Sequence, residues 1–134
     1  MENFEVTVVN LNTKENQVLT IEVDEAETTE YIVIKVEISG RIVTASNENY
    51  LSAYQEFRDK MLDLGFGIKC NGSRINAVQS GMMGGTDKVY LVTFGQKALM
   101  KDVVNMFDYA EIDEFPDTKR QKEYFNQWIG SLKN

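Results

Sequence analysis

The chain has 134 residues, 43% of them apolar and 26% charged, the balance of one compact unit that buries a core without disulfide or metal staples. Its 21 acidic residues outnumber 14 basic ones and leave a net charge of −7, which argues against gripping nucleic-acid phosphates or an anionic membrane surface, because both need clustered Lys and Arg. With no histidine and a single cysteine, Cys70, the chain has no imidazole base, no His metal ligand, no intrachain disulfide and no Cys cluster for zinc or iron–sulfur.

The first half reads as strands. Phe4–Val9 is rich in β-formers, and the turn-forming Asn12–Asn16 follows. In Gln17–Val23, Leu19, Ile21 and Val23 alternate with Thr20 and Glu22, the period of a half-buried strand. The acidic stretch Asp24–Glu30 reads as a loop. Tyr31–Ile38 places Ile32, Ile34, Val36 and Ile38 on one face. After Ser39-Gly40, Arg41–Ala45 is either a hairpin partner or the same strand continued past a glycine bulge, and the pattern alone supports both.

The period then changes. Tyr50, Leu51, Tyr54, Phe57, Met61 and Leu64 recur at spacings of three and four, predicting an amphipathic helix over Asn47–Leu64. Ser46 or Asn47 is expected to cap it, and Gly65 to end it in a left-handed conformation. A short strand Phe66–Cys70, a turn Asn71–Ser73, and two antiparallel strands, Ile75–Gln79 and Lys88–Phe94, follow, the last two flanking the loop Ser80–Asp87. A second helix is expected over about Lys97–Phe107. A final helix is expected over about Thr118–Ser131, capped by Asp117, with Tyr124, Phe125, Trp128 and Ile129 on its apolar face. Strands followed by segregated helices predict a single α+β domain spanning 1–134, with a mainly antiparallel sheet of about five to six strands and two to three helices on one face. Ile32, Ile34, Val36, Tyr54, Phe57, Leu91, Val103, Phe125 and Trp128 are expected to share one core. Residues 1–10 have no basic lead-in, and no apolar run reaches membrane-span length, so a soluble cytoplasmic protein is expected.

Three features bear on function. The segment Cys70–Tyr90 carries four glycines, and Gly81, Gly84 and Gly85 with Arg74 and Lys88 form a candidate anion-binding loop whose two cations are expected to lie close together. Its spacing is neither a P-loop nor a dinucleotide fingerprint, and tight turn geometry is the favoured reading of its glycines. Cys70 lacks a His partner and reads as a buried thiol rather than a nucleophile. The third feature is a pair of acidic runs free of intervening bases: Asp24, Glu25, Glu27 and Glu30 in the first, Asp108, Glu111, Asp113 and Glu114 in the second. Lys119, Arg120 and Lys122 follow the second run and are expected to offset neighbouring acids. No cofactor or metal set is evident.

The motif C-N-G-S-R at Cys70–Arg74, with S-G-M at Ser80–Met82, G-G at Gly84–Gly85, K-x-Y-L at Lys88–Leu91 and V-x-x-M-F-D at Val103–Asp108, resembles a group of small bacterial proteins of no established activity. In size, acidity and lack of catalytic residues these resemble bacterial immunity proteins. The resemblance implies a non-catalytic binding protein that blocks a cognate toxin. A nuclease toxin presents a basic cleft, to which acidic runs are steered. The alternative expectation is a small-molecule or anion site in the 71–88 loop.

Overall fold

The computed structural model describes residues 1–26 and 31–133. Its larger sheet has five antiparallel strands in the order β4-β3-β2-β1-β5, with β1 at Glu2–Asn10, β2 at Asn16–Glu25, β3 at Ile32–Ile38, β4 at Arg41–Asn47 and β5 at Phe66–Ile68. A smaller sheet, β6-β7-β8, comprises Ala77–Val78, Lys88–Leu91 and Val103–Asn105. Two α-helices complete the α+β fold, α1 at Tyr50–Asp63 and α2 at Thr118–Ser131. The expected single sheet is thus two.

Ser39 (φ +52°) and Gly40 (φ +75°) both adopt left-handed backbone between the partners Ile38 and Arg41. Two consecutive positive φ angles form the tight turn whose twist matches paired strands, so β3–β4 is a hairpin and not a bulged single strand. The period-2 pattern then sorts the larger sheet's faces. Val6, Val8, Ile21, Val23, Ile34, Val36, Val43 and Ala45 point inward onto Tyr54, Phe57 and Met61 of α1, whereas Glu5, Thr20, Lys35, Glu37, Ile42 and Thr44 face outward. Lys60 of α1 donates to the Thr44 carbonyl (2.8 Å), covering part of the free edge of β4.

The α1 cap is Asn49, whose side chain accepts from the Ser52 N–H at 2.9 Å. Ser46 and Asn47 are unavailable for capping because they pair with Val33 and Ile32 in the sheet. Gly65 (φ +91°) follows the helix as expected. Asp24 and Glu25, expected in a loop, instead extend β2 opposite Val33 and Ile32.

The expected helix over Lys97–Phe107 does not form. Met100–Asp102 makes a single 3-10 turn, with Asp102 accepting from the Leu99 N–H, and Val103–Asn105 becomes β8 beside β7. Two adjacent valines favour extended backbone, and the unpaired edge of β7 supplies ladder partners that an isolated helix lacks. The chain then carries Met106 and Phe107 into the main core, where Phe107 stacks on Phe4 (ring centroids 4.6 Å apart) and meets Tyr54 edge-on.

The core divides in two. Trp128 packs with Val78 and Val92 in a small satellite cluster under α2, apart from the main core. Of the four residues expected on the α2 apolar face, only Trp128 is buried, while Phe125 and Ile129 are exposed. A polar seam docks the start of α2 instead: the buried Gln121 donates to the carbonyls of Gly72 (3.0 Å) and Arg74 (2.8 Å).

Candidate binding cleft

The first acidic run and the glycine loop meet at one end of the larger sheet. Glu2 pairs with Val23 and Glu25 with Ile32, which gives both acids the inward parity of the core strands at the level of Tyr50, the first residue of α1. A cleft of about 670 Å³ results, lined by Glu2, Asp24, Glu25, Glu48, Tyr50 and Gly85 among others, with no lysine or arginine side chain in its described walls. The Tyr50 hydroxyl donates to Glu25 Oε1 at 3.3 Å. Burial first, then the charges of Glu25 and Glu2, push its ionisation up to about 12, because a phenolate here would lose water and face carboxylates. The opposing charges nearby are few: the N-terminal ammonium lies 3.8 Å from Asp24, and Lys35 lies 3.6 Å from Glu22 on the outer face. Glu27 and Glu30 lie outside the described residues.

The glycine loop is stapled to the helix start. Gly84 O accepts from the Tyr50 N–H (2.9 Å), and Gln79 Oε1 accepts from the Leu51 N–H (3.1 Å). Gln79 Nε2 donates to Thr86 O and Lys88 O, both at 2.8 Å. A side chain on Gly84 would place its Cβ 3.1 Å from Asn49 Cβ, a tight contact between loop and cap, whereas Gly81 and Gly85 face open space. A second cleft, about 420 Å³, runs along this contact and shares Glu48 and Gly85 with the first. Met82 projects from the loop with 98% of its surface exposed.

Three N–H groups at the start of α1, those of Tyr50, Leu51 and Ser52, are already taken by Gly84, Gln79 and Asn49. They have no donor left for an anion. Arg74 and Lys88, expected close together, have separate partners. Arg74 Nε donates to Asn71 Oδ1 (3.1 Å), while Lys88 lies beside Asp87 (3.7 Å) and bonds Asn105. The pairing Val78↔Tyr90 sets Lys88 level with Ser80 rather than Arg74.

The second acidic run is elsewhere and has bases beside it. Lys69 N–H donates to Thr7 O, five residues along β1 from Glu2, or about 17 Å at the usual strand rise. Lys69 Nζ approaches Glu111 at 3.4 Å, and hydrogen bonds from Tyr109 and then Lys69 lower the Glu111 carboxyl. Asp108 accepts from Asn105. Asp113 and Glu114 share a cleft of about 230 Å³ with Arg74 and Arg120. Of the three bases following the run, only Arg120 lines that cleft.

Cys70 is buried, with Tyr54 and Ser73 as neighbours: the Tyr54 hydroxyl lies 2.5 Å from Ser73 Oγ and 3.1 Å from Cys70 Sγ. Burial pushes both the thiol and the phenol up, which keeps the sulfur protonated and unreactive. Among the described residues, no group of three His, Cys, Asp or Glu side chains gathers closely enough to hold a metal ion, and no helix is long and apolar enough to cross a membrane.

Sequence reasoning missed Tyr50 and Glu48 as cleft residues. Tyr50 reads as a core position of the helix, and Glu48 is an isolated acid outside both runs. Only the antiparallel register brings them beside Glu2 and Glu25. No protein-family model matches this chain, and no curated protein matches it either.

Proposed function

We propose that the protein is a non-catalytic binding protein of the immunity type, which neutralises a cognate bacterial toxin by seating basic groups of that toxin on its acidic surface. The observation that carries this reading is the sheet-end cleft, where Glu2, Asp24, Glu25 and Glu48 line one hollow whose described walls hold one cation, the N-terminal ammonium beside Asp24, and no basic side chain. Four carboxylates around one hollow give it negative charge, which a cationic partner complements. A nuclease is the toxin class favoured, because its active site carries positive charge for phosphate and an acidic protein can occupy those positions. The 22–25 end of the first run lines the larger hollow, whereas in 108–114 Glu111 lies 3.4 Å from Lys69, and Asp113 and Glu114 share their cleft with Arg74 and Arg120. The reading includes a cytoplasmic setting, where an immunity protein meets its toxin, with neither nucleic acid nor membrane as partner. The anion-site alternative draws less support, since the helix donors beside the loop are already bonded.

The test is co-expression with the product of the adjacent upstream gene. The expected result is that this product stops growth alone, that the present protein restores growth, and that the two co-purify as a complex. Growth arrest unrelieved by co-expression overturns the proposal.

A further inference from the structure

The acidic hollow is one end of something longer. It shares Glu48 and Gly85 with the 420 Å³ cleft beside the glycine loop. That cleft shares Leu51 and Gln79 with a third, about 170 Å³, lying between α1 and α2. The three follow the flank of the first turns of α1. From Tyr50 to Gln55 the helix rises about 7.5 Å, and with the hollow beyond it the groove spans on the order of 15 Å, the reach of about four or five extended residues.

The two ends differ in chemistry. The first has four carboxylates against one cation, the N-terminal ammonium beside Asp24. The last is walled by Leu51, Ala77, Val78 and Phe125, rimmed by glutamines, and carries one cation, Lys122. Phe125 sits on α2 with 36% of its surface exposed, its ring 6.0 Å from that of Trp128 at the edge of the satellite cluster. Lys122 repels a basic side chain from this end while the carboxylates attract one at the other, so charge sets the direction of whatever lies in the groove.

We infer that the three clefts form one docking groove and that its occupant is an extended segment of a basic protein, with Lys or Arg at the acidic end and a single aliphatic or aromatic side chain about four or five residues away in the 170 Å³ end cleft. This rests on the reading that the protein binds a basic partner, and it names the part of that partner which is held. The last cleft has room for one side chain, so the apolar anchor is a single residue. The stapled loop and capped helix hold the walls in place before binding, which lowers the ordering cost of association.

The probes are acetylated, amidated hexapeptides: Lys-Lys-Ser-Gly-Ser-Leu, the reverse order, a version with Ser in place of Leu, and one with Glu in place of Lys. They are titrated into the full-length 15N-labelled protein and followed by amide shifts. The expected result is saturable movement of Glu25, Glu48 and Tyr50 together with Leu51, Val78 and Phe125, for one peptide order over the other. Affinity should fall at least 5-fold when Leu becomes Ser, and again in Glu48→Lys and in Phe125→Ser, each variant first shown by its amide spectrum to keep the parent fold. Shifts confined to the acidic end and indifferent to the Leu, or no saturation, overturn the groove. So does sedimentation showing a dimer of the free protein that protects these amides, since the groove then belongs to a second copy. If an authenticated toxin binds equally well to Glu48→Lys and Phe125→Ser, the groove is wrong while the immunity reading stands. If the peptides bind as expected but the neighbouring toxin is not neutralised, the immunity reading fails and the groove stands.

Discussion

Gln121 of α2 accepts a hydrogen bond from Arg58 of α1 at 2.7 Å, in a seam where the arginine is only 1% exposed. The same Oε1 takes the Gln55 amide at 3.1 Å. Arg58 also reaches Asp59 (2.9 Å) and Thr118 (3.3 Å) and lies over the Tyr54 ring, while its Nη1 has no partner among the described residues. The charge is buried and only partly matched, so every remaining acceptor counts. Gln121→Ala removes one acceptor from Arg58 and two donors from the carbonyls of Gly72 and Arg74. The expected loss is about 2–4 kcal/mol, above that of an ordinary surface change. Urea denaturation checks it, and a loss under about 0.5 kcal/mol means that water replaces the seam freely.

The satellite cluster predicts uneven stability. Trp128 donates from Nε1 to the carbonyls of Thr93 (3.1 Å) and Gln96 (2.9 Å), so it ties α2 to the 93–96 loop as well as filling the small cluster. Trp128→Ala should cost about 3–5 kcal/mol locally, as deletion of a large buried aromatic does. Because the main core lies elsewhere, amide exchange should speed up in α2 far more than in α1. Equal acceleration in both helices would show that the two clusters unfold as one.

Tyr50 makes the alkaline limb of stability sensitive to the acidic hollow. Its phenol rises from the ordinary 10 to about 12 in the fold, through burial and then Glu25 and Glu2. A folded value above the unfolded one means that the neutral phenol stabilises the fold at pH below 10, and that this contribution is lost as pH rises from 10 through 12. Tyr50→Phe should therefore flatten the fall in urea midpoint between pH 9 and 11 relative to the parent. Absorbance titration at 295 nm should show Glu25→Gln lowering the ionisation of this tyrosine. A parent and Tyr50→Phe pair with parallel pH profiles contradicts the assignment.

Gly67 is required by a ring and not by a turn. A Cβ there would lie 2.6–2.8 Å from the Phe115 ring, so β5 can approach residue 115 only without a side chain. Gly67→Ala should destabilise by about 1–3 kcal/mol, the usual cost of overpacking, and the double change Gly67→Ala with Phe115→Leu should recover part of it. Thermal melting of the three variants decides this.

Cys70 should be silent toward thiol reagents in the native state, because it is buried and its thiol is held protonated. Reaction with an aromatic disulfide reagent is expected only on the timescale of unfolding, and a fast native reaction would show that the Tyr54–Cys70–Ser73 pocket opens.

What the sequence determined by itself is local. β-forming residues marked Phe4–Val9, period-2 alternation marked Gln17–Val23 and Tyr31–Ile38, the three-and-four spacing marked α1, and Asp117 with the segment behind it marked α2 from Thr118 to Ser131. Each of these depends on neighbours within a few residues, as strand pleat and helix turn do. The Lys97–Phe107 segment shows where that logic stops: its apolar spacing suits a helix, yet the waiting edge of β7 and the valine pair made it a turn and a strand. Tertiary structure alone decided how Trp128 was divided from the main core, that Lys69 meets Glu111 while Arg74 and Arg120 share a cleft with Asp113 and Glu114, and that Glu2, Glu25, Glu48 and Tyr50 line one hollow. Those outcomes depend on strand register and on helix docking between residues tens of positions apart, and charge sums along the chain do not encode which opposite charge a carboxylate will meet once the sheet has paired.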